Sequence, residues 1–134
     1  MKIAKIIFKE GLRTEIVHLK SGNNVITDAP LDNNGKGEAF SPTDLLCSSL
    51  AACMLTIMGI VAANNKLRID GTQAEITKIM VADPRRVGEI RIEFTLPPNN
   101  FSAKEKQVLE NAALTCPVAK SLSGELKQTV IFNY

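Results

Sequence analysis

The sequence predicts an α+β fold, with helices gathered on one side of antiparallel strands. Three observations lead there: a charge-free run from Leu45 to Ala63, short apolar strand-like segments on both sides of it, and capping patterns at Ser41 and Ser102. At 134 residues the chain fits one domain, 1–134.

The segments follow in order. "KIAKIIFK", "TEIVHLK" and "NNVITDA" read as three strands of a meander, with Ser21-Gly22 as a turn between the last two. "PLDNNGKGEAF" packs Pro, Asp, Asn and Gly into a loop. A long helix then begins at Ser41, where Pro42 suits the first helical position and Asp44 takes the place of the usual Glu in a capping box. It is expected to end near Asn64 and Asn65, which favour leaving a helix. "LRIDGTQAEITKIMVA" and "VGEIRIEFTL" alternate well and are joined at "DPRR", which reads as two long strands and a turn. "SAKE" caps a helix through "KQVLENAAL", "TCPVAKSL" opens a second short one, and "LKQTVIFNY" is a closing strand. The predicted order is βββ-α-ββ-αα-β.

The run from Leu45 to Ala63 falls just short of the roughly 20 apolar residues that cross a bilayer. Ser48, Ser49, Thr56 and several Ala and Gly residues dilute it, and its flanks lack an aromatic belt and clustered basic residues. Lys2, Lys5 and Lys9 break the N-terminal segment too early for a signal peptide. The expectation is a buried core helix in a soluble, cytoplasmic protein, with no membrane partner. A helix so apolar needs more cover than one small layer supplies, which favours an oligomer. The net charge of +2, the absence of a basic block longer than Arg85-Arg86 and an aromatic content of 4% make nucleic acid an unpromising partner. An odd count of three cysteines argues against a disulfide-stapled scaffold.

The thiols carry the chemistry. At about 100° per residue, Leu46, Ser49, Leu50, Thr56, Ile57 and Ile60 fall within about 60° of Cys53, setting its sulfur in an aliphatic stripe with hydroxyls at the margin. Cys47 lies about 120° away and reads as a small buried hydrophobe. Asp44 lies on the opposite side and reads as a helix-start residue. Pro117 makes Cys116 the cap of "CPVAKSL", near unpaired N–H groups, a setting that lowers a thiol pKa; the alternative is a cap and nothing more. Cys53 and Cys116 are 63 positions apart, too far for a Cys-x-x-Cys pair. His18 is the only histidine, so neither a zinc clip nor a hydrolase triad is supported, and it reads as a sheet-surface or satisfied core residue. From the residues alone, the choice is between thiol redox work and none.

"SPTDLLCSSLAACM" followed by "CPVAKSL" resembles the osmotically inducible protein C and organic hydroperoxide resistance (OsmC/Ohr) family, and the order of elements extends the resemblance over nearly the whole chain. The resemblance implies an OsmC-like fold, an intertwined homodimer with its long helices central, and reduction of organic hydroperoxides by two cysteines with no metal or bound cofactor. Carried over by position, Cys53 is the peroxidatic thiol and Cys116 the resolving one. Leu46, Ser49, Leu50, Ile57 and Ile60 line the pocket for a small hydrophobic hydroperoxide, and a dithiol reductant resets the pair. In the family a Glu after the helix-start Pro holds an N-terminal Arg that supports the thiolate. Arg13 matches the arginine, but Thr43 stands where the Glu should be, so weaker peroxidase activity is expected. The alternative is a dimer of the same fold that binds a small hydrophobic ligand or acts as a redox switch.

Overall fold

The computed structural model describes residues 1–134. Its elements are β1 (Ala4–Lys9), β2 (Arg13–His18), β3 (Asn24–Asp28), α1 (Pro42–Asn64), β4 (Gln73–Val81), β5 (Arg86–Thr95), α2 (Ala103–Leu114), α3 (Pro117–Ser121) and β6 (Lys127–Asn133). One short 3-10 turn, Leu31–Asn33, lies in the loop before α1. The order βββ-α-ββ-αα-β is therefore observed. The chain forms two compact units, Met1–Leu46 and Cys47–Tyr134.

In the first unit β1, β2 and β3 form an antiparallel meander. The turn between β2 and β3 is closed by His18 O accepting from Gly22 N–H at 2.8 Å, and Gly22 adopts φ +77°, a left-handed conformation that glycine reaches without a steric penalty. Turn placement fixes register. Here it sets Arg13 opposite Asp28 and Thr14 opposite Thr27, whose hydroxyls are hydrogen-bonded to each other. Strand β1 is exposed along its whole length, with Phe8 71% accessible.

The start of α1 is capped as the sequence predicts. Ser41 Oγ accepts the Asp44 N–H at 3.0 Å and Asp44 Oδ2 accepts the Ser41 N–H at 2.9 Å, so an Asp serves in the box. At the other end the left-handed residue is Lys66 (φ +56°) rather than either asparagine. Leu67 N–H returns to Ala62 O at 2.8 Å, satisfying an end carbonyl in a Schellman arrangement while Leu67 packs on the core.

In the second unit β5 is the central strand of a sheet ordered β4-β5-β6. The β4–β5 pair is antiparallel as expected, but β6 runs parallel to β5. A parallel pair needs a long crossover, and α2 with α3 provides it. The register slips near Met80 so that Gly88 is the extra residue of a bulge. A Cβ at Gly88 would stand 2.4 Å from Val81 Cγ1, so only glycine fits there without movement. The core joins Ile90, Ile92 and Phe94 of β5 to Leu109 and Ala113 of α2 and to Leu50, Met54 and Met58 of α1. By length and composition α1 could cross a membrane. In the fold its residues Cys47, Leu50, Ala51, Met54, Met58 and Ala62 are buried as one stripe, the spacing of a core helix.

Candidate active site

Cys53 sits near the middle of α1 and is half-buried; Cys116 caps α3 and is fully buried. The two thiols are neighbours, close enough for Cys53 to raise the Cys116 pKa. Residues 63 positions apart come together because α1 shares one core cluster with α2 and the start of α3. Cys116 Sγ accepts the Ala119 N–H at 3.4 Å, and Ala119 O in turn accepts from Gln128 Nε2 of β6 at 3.1 Å. All three cysteines are free thiols.

The cap was expected to lower the Cys116 pKa, and the structure reverses that expectation. Burial pushes the thiol up, outweighing the Ala119 N–H that favours the thiolate, and the neighbouring Cys53 sulfur raises it further. Cys116 is thus held as a neutral thiol below its partner. Cys47 is a buried core residue, as predicted. His18 is exposed at the end of β2, with Nδ1 2.7 Å from Ser21 Oγ.

The stripe around Cys53 does not form one pocket wall. The buried face of α1 is centred on Met54 and Met58, so Leu50 points into the core and is inaccessible, while Ile57 is half-buried against it. Leu46, Ser49, Thr56 and Ile60 lie on the open side, with Ile60 54% accessible. The helical wheel grouped them correctly by angle but could not place the edge of the core within that arc.

Arg13, at the start of β2, makes a two-pronged pair with Asp28 on β3: Nε to Oδ1 at 2.7 Å and Nη2 to Oδ2 at 2.8 Å. Nη2 also reaches Glu38 Oε2 at 3.2 Å. Asp28 is fully buried, and its Oδ2 accepts the Glu38 N–H at 3.1 Å as well. The Arg13 hydrogen bonds hold the Asp28 carboxyl below the usual carboxylate range, and Asp28 in turn raises Arg13. Thr43 is engaged at the start of α1, its hydroxyl 3.1 Å from Ser41 Oγ. The expectation that Arg13 lacks a carboxylate is therefore corrected: Asp28 supplies one. Asp28 was missed because it was read only as the end of a strand. The Ser21-Gly22 turn was only a partial signal: counted as the two central turn residues it pairs position 28 with position 15, whereas the observed turn is centred one residue earlier and pairs it with position 13.

A long core helix carrying one thiol of a neighbouring pair, with the second thiol capping a short helix behind it, defines a paired-thiol α+β protein. The chain belongs to the OsmC-like protein family, whose sequence profile matches residues 35–130 and so includes both cysteines. It is 53% identical to a protein of Psychrobacter arcticus 273-4, provisionally assigned to osmotic stress induction and detoxification, over 99% of this chain and 96% of that one, with a TM-score of 0.95. It resembles the organic hydroperoxide resistance protein OsmC of Legionella pneumophila (16% identity, 100% and 97% of the two chains, TM-score 0.75). It also resembles the organic hydroperoxide resistance protein OhrB of Bacillus subtilis (18% identity, 97% of each chain, TM-score 0.68). At those identities the last two show a shared fold. A search of curated proteins found no match.

Proposed function

We propose that this chain, acting as one domain over 1–134, is a cytoplasmic, homodimeric, two-cysteine peroxidase that reduces organic hydroperoxides. Hydrogen peroxide is the natural second substrate to test. The observation that carries the reading is the placement of half-buried Cys53 against the core cluster that contains fully buried Cys116, near enough to shift its pKa. An incoming peroxide reaches the more open sulfur first, which assigns Cys53 to attack and Cys116 to resolution.

The reaction balances without a bound cofactor. The Cys53 thiolate attacks the terminal peroxide oxygen, the O–O bond breaks, and the alkoxide takes a proton to leave as alcohol while Cys53 becomes a sulfenic acid. Cys116 sulfur then attacks the Cys53 sulfur; the S–O bond breaks, and hydroxide leaves with the Cys116 proton as water. A dithiol reductant returns both cysteines to thiols. Arg13 is the cation assigned to support the Cys53 thiolate in this reading.

A second copy of the chain supports the site by covering α1. Leu46, Ser49, Thr56, Ile60 and Ala63 lie along one open stripe of α1, the seam of a paired helix, with Cys53 at the core-side edge of that stripe. A twofold dimer brings this seam against itself. The alternative of a ligand-binding or switching dimer drew on the absence of a carboxylate for Arg13. Asp28 removes that support.

The test is stopped-flow oxidation of reduced protein by one equivalent of cumene hydroperoxide, followed by peptide mass spectrometry. Rapid loss of two thiols per chain with a linked Cys53–Cys116 peptide is the expected result. Slow oxidation spread over all three cysteines refutes the reading.

A further inference from the structure

We propose that Gln128 is a positioning residue for Cys116: it ties the short helix α3 to strand β6 and so holds the Cys116 sulfur in place to close on Cys53. The inference rests on the assignment of Cys116 to resolution made above, and every residue in it belongs to the second unit. Side chains alternate along a strand, so Gln128, Val130 and Phe132 share one face of β6. Val130 and Phe132 pack against the core, and the register sets Gln128 beside fully buried Ile90. An amide in that apolar row is costly unless it finds a partner. Its partner is Ala119 O of α3, which accepts from Gln128 Nε2 at 3.1 Å.

Helix α3 depends on ties of this kind. It has five residues, far fewer than the roughly 12–15 at which an isolated helix becomes even marginal in water. Its own ladder contributes the bond from Lys120 N–H to Cys116 O at 3.1 Å. Ala119 O lies in the last turn, where the helix supplies no further N–H, and Gln128 brings a donor from another element. Ala119 is also the residue whose N–H reaches Cys116 Sγ at 3.4 Å. One buried residue thus takes the strand's amide on its carbonyl and gives its own N–H to the thiol. Releasing Ala119 from β6 loosens the donor that seats the sulfur. The opposite face of β6 is bonded separately, Thr129 to Glu89 and Asn133 to Glu93, so the tie at Gln128 can be cut without removing those bonds.

The test removes the donor and keeps the shape of the side chain: Gln128→Met is compared with wild type after one equivalent of dithionitrobenzoate is added to reduced protein. The Cys53 thiolate attacks the S–S bond of the reagent and releases one thionitrobenzoate. The Cys116 thiolate, its proton lost to solvent, then attacks the Cys53 sulfur, and the mixed disulfide breaks to release a second. Gln128→Met is expected to slow the second release at least tenfold while the first stays within twofold, and to speed iodoacetamide alkylation of Cys116, read by peptide mass spectrometry, at least fivefold. Gln128→His carries an N–H the same number of bonds from the backbone and is expected to restore the second release to within threefold of wild type. Val130→Ala loosens the packing of the same face without touching the tie, and its second release is expected within threefold of wild type. A Gln128→Met second release within twofold of wild type, no recovery in Gln128→His, or an equal loss in Val130→Ala overturns the proposal. If Gln128→Met loses its fold by circular dichroism, Gln128→Asn, whose amide falls one methylene short, takes its place with the same expected rates. A wild type that releases no second thionitrobenzoate removes the pairing of Cys53 with Cys116 from the function proposed above. Alkylation then decides the role of Gln128, and a Cys116 rate unchanged in Gln128→Met overturns it.

Discussion

Replacing Ile60 by alanine tests the proposed dimer against the single chain. Full burial of an isoleucine side chain contributes about 1.5–3 kcal/mol. Ile60 is 54% accessible in the chain, so a partner covering it adds about half of that, roughly 1–1.5 kcal/mol. A twofold axis counts the contact twice, giving about 2–3 kcal/mol, or a dimer dissociation constant raised about 30- to 150-fold in Ile60→Ala. Leu50, one of the residues grouped with Ile60 on the wheel, gives the opposite signature. It is inaccessible within the chain, and Leu50→Ala is expected to cost about 2–5 kcal/mol of folding stability, with the cavity it leaves included. Sedimentation velocity across a dilution series measures the first effect, and denaturant unfolding at fixed protein concentration measures the second. A dissociation constant for Ile60→Ala within twofold of wild type refutes the placement of the interface on the open face of α1.

Three other outcomes are expected. Burial raises the Cys116 thiol, so its alkylation by iodoacetamide should be slow at pH 8 and still climbing above pH 9; a plateau below pH 8 contradicts the burial argument. Asp28 is held below the ordinary carboxylate range, so the unfolded chain binds a proton that the fold refuses. Its contribution is complete above about pH 5 and is lost as pH falls below about 4 toward the folded value, and urea titrations should show a shallower acid loss for Asp28→Asn than for wild type. Ser102 and Glu105 form both bonds of a capping box at 3.1 and 2.8 Å, and Ser102→Ala should cost about 1 kcal/mol in chemical denaturation with the thiol chemistry intact.

Local chemistry made much of this fold legible. Caps at Ser41, Ser102 and Cys116 announce three helix starts because each depends on side chains within a few residues. The alternation Ile90, Ile92, Phe94 identifies β5 because one face of it is buried. What the sequence hid is non-local. The parallel partnership of β6 depends on where a crossover returns, and no residue in "LKQTVIFNY" encodes that direction. Which side of Cys53 faces the core depends on how α1 seats on β5, so Leu50 and Ile60 looked alike until both were placed. The pKa of Cys116 was misjudged because its cap is local while the burial that dominates it is assembled from elements far apart in the chain. The Arg13–Asp28 pair lay between these cases: a turn fixed it, but Ser21-Gly22 does not mark the centre of that turn.

The parallel pairing of β6 has a kinetic side. Strands β4 and β5 zip from a short turn, with Val81 and Arg86 already partners. Glu89 and Lys127, the first pair between β5 and β6, are 127 − 89 = 38 residues apart. Loop closure on that scale comes after hairpin formation, and until it happens the apolar strand β5 offers a bare edge to any other chain. Cys116 travels inside the closing loop. The thiol pair is therefore assembled together with the last strand, and a folding chain caught by oxidant before that moment carries cysteines not yet matched to one another.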